Sequence, residues 1–277
     1  MKLPTFLVIG AAKSGTTSLH FYLRQHPDIY LSPVKETNFY SPEDRMRGRL
    51  VPRSLEEYAR FFAGARAERA IGEISPQYLN SDTAAARIAR DLPNVRLIVS
   101  LRNPADRAYS DYLGRVRIAR ESRPIELVMQ PGERIFDDSL YYPKLKRYFN
   151  RFPRQRVHVM LYDDFLQDSR AALRHVFAFV GVDPDFPVET STRHNPAEAP
   201  RSVAFNQLAW RLVPALQRLV PLRWRGSGWG EALLRRTYRR AQPISPELRR
   251  RLLALYRQDV VATAELIQLD LSAWLDD

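Results

Sequence analysis

Short apolar runs alternate with stretches of helical periodicity along the first two thirds of the chain. Thr5 to Ile9, Ala70 to Glu73, Arg96 to Leu101 and Val157 to Leu161 have the length and composition of buried strands. The segments that follow them, Thr16 to Gln25, Asp82 to Arg90, Pro104 to Arg120 and Ser169 to Val180, repeat apolar residues at helical spacing, and Pro104 suits a first helical turn. Alternation of this kind predicts an α/β fold, a doubly wound parallel sheet flanked by helices. Beyond Gly181 the pattern changes. Residues Asp183 to Pro200 are rich in proline and polar side chains, and the remainder reads as helical, with no strand. Ser245-Pro246-Glu247 forms a helix start, and Leu248, Leu252, Leu255, Tyr256 and Val260 follow as a core-facing stripe. No repeat, low-complexity tract or Gly/Ser linker divides the chain. A single domain over residues 1–277 is expected, with an α/β core at 1–182, a loop at 183–202 and a helical C-terminal portion at 203–277.

Composition narrows the chemistry. A chain of 277 residues with 45% hydrophobic content buries a sizeable core. No stretch of 18 residues lacks charge, and the first apolar run ends at Gly10 with Lys13 close behind, so neither a membrane-spanning helix nor a secretory signal is expected. The expectation is a soluble, cytoplasmic protein. Cysteine is absent, which removes disulfides, thiolate nucleophiles and Cys-based zinc sites. The net charge of +12 favours anionic ligands or surfaces: nucleic acid, anionic lipid, acidic glycans or phosphorylated cofactors, with a solubilising Arg-rich surface as the plain alternative.

The strongest local signal is Phe6-Leu-Val-Ile-Gly-Ala-Ala-Lys-Ser-Gly-Thr-Thr-Ser-Leu19, a strand that runs through a small-residue loop into a helix. Backbone amides at such a helix start converge on one point, and the helix dipole favours negative charge there, so the loop is an anion cradle. It is P-loop-like but not the nucleotide-triphosphatase loop. That pattern needs a lysine at position 16, counting from Gly10 and Gly15, whereas this chain has Thr16 there and its lysine earlier, at Lys13. The run Arg96 to Leu101 ends in Arg102 instead of a magnesium-holding aspartate, although Val157 to Leu161 is followed by Asp163 and Asp164.

The loop Lys13-Ser-Gly-Thr-Thr-Ser18, paired with Leu97-Ile-Val-Ser-Leu-Arg-Asn-Pro-Ala-Asp-Arg-Ala-Tyr-Ser110, resembles the two signatures by which sulfotransferases bind 3′-phosphoadenosine-5′-phosphosulfate (PAPS), in the branch that includes the heparan sulfate N- and O-sulfotransferases. Further segments are similar to that family: Leu31 to Tyr40, Ser54 to Phe62, Gly72 to Tyr78, Tyr141 to Gly181 and Asp270 to Trp274. The resemblance implies that Lys13, Ser14, Gly15, Thr16, Thr17 and Ser18 hold the 5′-phosphosulfate, and that Arg102 and Ser110 hold the 3′-phosphate. An Arg at a strand end offers a forked donor set to such a group. By the same resemblance Glu36 is the general base and a loop closes over the nucleotide, with Arg193 and Arg201 in it as candidate 3′-phosphate or adenine-side contacts; Lys13 would also neutralise the departing oxygen. No metal is required, and adenosine 3′,5′-bisphosphate (PAP) is the product.

Two positions depart from the glycosaminoglycan enzymes. Ile74 stands where many carry Lys, and Lys144 where some carry His, so heparan itself is doubtful as acceptor. The expected partners are PAPS and a hydroxyl- or amine-bearing acceptor, a small molecule, glycan or glycolipid, with a peripheral anionic-surface contact by the basic C-terminal region and no nucleic acid. Lys35 faces donor or acceptor, and His194 is an alternative base. Two rival readings remain: a kinase using Asp163 or Asp164 with Mg²⁺, and a nucleic-acid or membrane-surface binder using Arg223, Arg225, Arg235, Arg236, Arg239 and Arg240.

Overall fold

The apolar run near the N-terminus forms strand β1, Phe6–Gly10, in which all five residues are buried. It is the central strand of a sheet in a computed structural model that describes residues 1–41, 51–191, 198–219 and 237–276. From β1 the chain continues through α1 (Thr16–Leu23), β2 (Ile29–Leu31), α2 (Leu55–Ala59), β3 (Ala70–Ile74), α3 (Ala84–Asp91) and β4 (Arg96–Leu101). It then forms α4 (Pro104–Arg117), α5 (Ile125–Val128), α6 (Arg134–Asp137), α7 (Tyr142–Phe149), β5 (Val157–Leu161), α8 (Tyr162–Gln167) and α9 (Ser169–Val180). The last part comprises β6 (Glu198–Pro200), α10 (Val203–Leu219), β7 (Tyr238–Arg240) and a C-terminal helix, Pro246–Ile267.

Two compact units arise from discontinuous segments. The first holds Met1–Asn103, Leu140–His194 and Tyr256–Asp276. Its sheet has the order β2-β3-β1-β4-β5, with every neighbouring pair parallel. Leu19, Tyr22 and Leu23 of α1 and Leu173, Val176 and Phe177 of α9 pack with Phe6, Val8 and Ile98 in one buried cluster. This is the doubly wound architecture expected from the alternating pattern. After β1 the chain moves to one side of the sheet, toward β3 and β2, whereas after β4 it moves to the other, toward β5. The crevice between the carboxyl ends of β1 and β4 is therefore the topological switch point, where open α/β sheets bind ligands. A register shift between Val8 and Gly10 against β4 marks the place where β1 leaves the ladder.

The second unit holds Pro104–Ser139 and Asn195–Leu255. Arg107 of α4 is fully buried there and donates to Ser139 Oγ at 2.7 Å and to the Ile135 carbonyl at 3.1 Å. The side-chain amide of Asn206 in α10 donates to the Val116 carbonyl at 2.9 Å. Helices were expected after Gly181, and the α10 and C-terminal helices bear this out; the expected lack of strands does not hold. β6 and β7 pair antiparallel, Glu198 opposite Arg240 and Pro200 opposite Tyr238. Each has three residues, too short for an alternating pattern to show. The C-terminal helix is capped where expected, with the Leu248 amide 3.2 Å from Ser245 Oγ, and Leu252, Tyr256 and Val260 are buried while Leu255 is 41% exposed. No helix among the described residues is long and apolar enough to cross a membrane.

Candidate active site

The loop leaving β1 is held by its own backbone and by β4. The Ala11 amide donates to the Ser100 carbonyl at 2.7 Å, Ser100 Oγ donates to the Ser14 carbonyl at 2.7 Å, and the Ser14 amide returns to the Ala11 carbonyl at 3.3 Å. Lys13 and Gly15 take left-handed backbone conformations, with φ of 70° and 79°. At Gly15 a glycine is required twice over, because a Cβ there would stand 2.7 Å from Cε2 of Tyr162. The first internal bond of α1 runs from the Leu19 amide to the Gly15 carbonyl at 3.0 Å, and no acidic side chain occupies the first turn. The amides of Gly15 to Ser18 thus form the donor end of the helix, at the switch point. The Ser14 side chain is fully buried and Thr16 nearly so, while Lys13, Thr17 and Ser18 are half-buried.

Arg102 emerges from the end of β4 onto the same loop. Its guanidinium donates to the Lys13 carbonyl at 3.3 Å and lies over the Tyr162 ring, 5.1 Å from the centroid. The backbone beneath it is fixed from two directions: Tyr141 donates its hydroxyl to the Arg102 carbonyl at 2.8 Å, and Asn103 donates its side-chain amide to the Trp274 carbonyl at 3.0 Å. The second bond shows what the Asp270 to Trp274 segment contributes. It anchors the residue after the arginine.

A third element approaches from the loop after β2. The Glu36 amide donates to the Ile74 carbonyl at 3.0 Å, tying this loop to the end of β3. The Lys35 ammonium sits 2.7 Å from Glu36 Oε1 and 3.4 Å from Thr17 Oγ1 in the first turn of α1. A carboxylate, an ammonium and a helix N-terminus therefore meet in one place, with the Lys35 and Glu36 side chains 26% and 28% exposed. His20, one turn further along α1, is held well below its usual pKa of 6.5, at about 4, by burial first and then by the positive charges of Lys35 and Arg24. Beside Ser18 opens a cleft of ≈ 290 Å³, lined among others by Tyr22, Phe165, Arg170 and Thr190.

Lys13 to Ser18, Glu36 and Arg102 thus come together in the first unit. Ser110 lies half-buried on α4 and Arg201 is exposed, both in the second unit, and the Arg201 amide bonds the Thr237 carbonyl at 3.0 Å. Arg193 and His194 lie outside the described residues, as do Arg223, Arg225, Arg235 and Arg236; Arg239 and Arg240 are exposed on β7. Lys144 is buried on α7, and Ile74 lies in the core. Asp163 and Asp164 are exposed in the first turn of α8, where negative charge complements the helix dipole. Sequence reasoning missed Tyr162 and Ser100 as shapers of the cradle. Tyr162 directly follows β5, so its place beside a neighbouring strand's exit was the available signal.

A parallel sheet whose central strand feeds a helix start at the switch point defines a P-loop-like α/β class. Within it, a family model described as "Sulfotransferase domain" matches residues 3–211, and the chain belongs to that family. The sulfotransferase from Alicyclobacillus acidocaldarius has a solved structure that matches with a TM-score of 0.75 and 30% identity, over 100% of both chains. The membrane-associated sulfotransferase kil1 of Dictyostelium discoideum is 36% identical over 113 residues, 40% of this chain and 22% of that protein. The bifunctional heparan sulfate N-deacetylase/N-sulfotransferase 2 of Mus musculus is 26% identical over 204 residues, 66% of this chain and 22% of that protein. The chain spans about a fifth of the length of these curated relatives.

Proposed function

We propose that this sulfotransferase takes its sulfuryl group from PAPS and delivers it to a hydroxyl or amine of a carbohydrate or glycoconjugate. The observation that carries the reading is that the Arg102 guanidinium, from the end of β4, and the Lys35–Glu36 pair, from the loop after β2, both reach the segment after β1 that presents the Gly15–Ser18 amides. The amides suit the 5′-phosphosulfate, Arg102 suits the 3′-phosphate, and the cleft beside Ser18 suits the nucleoside. Lys13 supplies positive charge for the bridging oxygen that gains charge as it departs.

In the transfer, the acceptor oxygen or nitrogen forms a bond to sulfur while the bond from sulfur to the bridging oxygen breaks. PAP leaves with the electron pair, and Glu36 accepts the acceptor's proton. Lys35, bonded to both Glu36 and Thr17, holds the base against the donor end of α1 and keeps the two reaction partners in register. The similarity to heparan sulfate enzymes supports a sugar acceptor, while the buried apolar Ile74 argues for one other than heparan. Incubation of the purified chain with ³⁵S-labelled PAPS and a panel of glycans, glycolipids and small alcohols tests this. Label is expected in a sugar-containing product, and transfer confined to non-carbohydrate alcohols would contradict the acceptor class.

A further inference from the structure

Behind Glu36 lies a carboxylate that the chemistry above does not use. Glu73, in β3 opposite Leu7 of β1, is 1% exposed. Four hydroxyl groups donate to it. Tyr58 reaches Oε1 at 2.9 Å and Tyr78 reaches the same oxygen, while Thr37 reaches Oε2 and Ser75 approaches Oε2 at 3.3 Å. Burial pushes the carboxyl above its usual pKa, against the pull of these hydroxyls. Four donors match the lone-pair capacity of a carboxylate, so the group is satisfied. An apolar side chain would nevertheless fill the same space without the cost of desolvating a polar group.

What the network does is visible in the loop it grips. Glu36 and Asn38, on either side of Thr37, both have left-handed backbones, with φ of 60° and 52°. Asn tolerates that conformation, but a residue such as Glu36 rarely adopts it, so at Glu36 it persists only where surrounding contacts impose it. Three consecutive residues supply such contacts to the end of β3. The Glu36 amide bonds the Ile74 carbonyl, the Thr37 hydroxyl bonds Glu73, and the Asn38 amide bonds Ser75 Oγ at 3.2 Å. Tyr58 and Tyr78, which hold the other Glu73 oxygen, are themselves wedged by rings: Phe39 stacks on Tyr58 at 4.5 Å, and Tyr40 meets Tyr78 edge-on at 5.6 Å.

We propose that Glu73 is a positioning residue for catalysis, acting through Thr37 to hold the Glu36 backbone where its carboxylate meets Lys35 and the start of α1. The inference rests on the reading of Glu36 as the base. Glu73 touches neither donor nor acceptor in this account, so its loss alters the rate of transfer and leaves nucleotide affinity intact.

The test is a cycle of Thr37 and Glu36 variants, followed with the panel acceptor that the wild-type enzyme sulfates fastest and with PAP titrations. Thr37→Val removes only the hydroxyl link at constant volume. It is expected to lower kcat at least tenfold with the PAP Kd unchanged within twofold, and Thr37→Ser restores the rate. In a Glu36→Gln background the same substitution is expected to have no further effect, since a base that cannot act gains nothing from being aimed. Normal kcat in Thr37→Val, or an equal loss in both backgrounds, would overturn the positioning role. Near-normal turnover of Glu36→Gln alone would instead overturn the base assignment, so the two failures are distinguishable. If Thr37→Val does not fold, Ser75→Ala, which deletes the acceptor for the Asn38 amide, is put through the same cycle with the same expected split.

Discussion

The loop after β1 and the loop after β2 bring chemistry to the same end of the sheet by different means. The first presents its backbone: its amides, carbonyls and helix start make the contacts, Ser100 and Arg102 bond its carbonyls, and its own Ser14 and Thr16 side chains are buried. The second has one backbone bond to β3, from Glu36 to Ile74, and is otherwise held by side chains, with Thr37 and Ser75 strapping it to the end of β3 and Lys35 spanning to Thr17. Backbone cradles bind anions whose shape is constant, and tolerate side-chain change except where the turn itself depends on one residue. A side-chain strap instead holds one carboxylate in one place, and each hydroxyl in it counts. Donor binding and proton transfer should therefore separate cleanly under mutation.

The largest expected effect is at the turn. Gly15→Ala forces a left-handed alanine and drives its Cβ against the Tyr162 ring, and PAP binding should fall below detection in calorimetry. A variant that still binds PAP like wild type would show that the cradle does not depend on this turn. Next comes Glu36→Gln, expected to lower kcat by about a hundredfold or more, the usual scale for losing a general base, with PAP affinity unchanged. Parallel losses of rate and affinity there would merge the two loops into one functional element.

A smaller effect is expected at Arg102. Its replacement by alanine should weaken PAP roughly tenfold or more, in line with about 1.5–3 kcal/mol for a hydrogen bond to a charged group, and leave adenosine 5′-monophosphate nearly unaffected. Equal weakening of both nucleotides would assign Arg102 to shaping the loop through the Lys13 carbonyl. The smallest effect concerns His20, buried on α1. It stays neutral in the folded chain down to about pH 4 but titrates near 6.5 when unfolded. Between those values the unfolded state holds more protons, so acidification destabilises the fold. His20→Gln should shrink the drop in Tm between pH 7 and pH 5, and an unchanged drop would place the acid sensitivity elsewhere.

The two loops also differ in how far they can be read from sequence. The β1 loop is local, with strand, Gly, Lys and hydroxyl residues within thirteen positions of Phe6, so its chemistry shows in a short window. β4 and β5 are equally legible as apolar runs with the bounds expected, Arg96–Leu101 and Val157–Leu161. β2 was not, because three residues beside a polar loop give no pattern. The strap is less visible still. Glu73 and Thr37 are 36 positions apart, and Tyr58 is 15 from Glu73, so only the folded sheet edge shows that these ordinary residues share one carboxylate. Tyr162 is an intermediate case: its place directly after β5 puts it at a strand exit, but nothing near it in sequence marks Gly15 as the residue it packs against.

We propose that the cradle fits a phosphosulfate donor bearing a 3′-phosphate. Thermal denaturation in the presence of PAP, with chelator added, tests it most directly. Binding to the folded state alone stabilises by about 2.7 kcal/mol at a hundredfold excess over Kd. PAP without metal is expected to raise Tm by several degrees and ATP with Mg²⁺ to raise it less. Stabilisation by ATP with Mg²⁺ and none by PAP would overturn this assignment and point to a kinase.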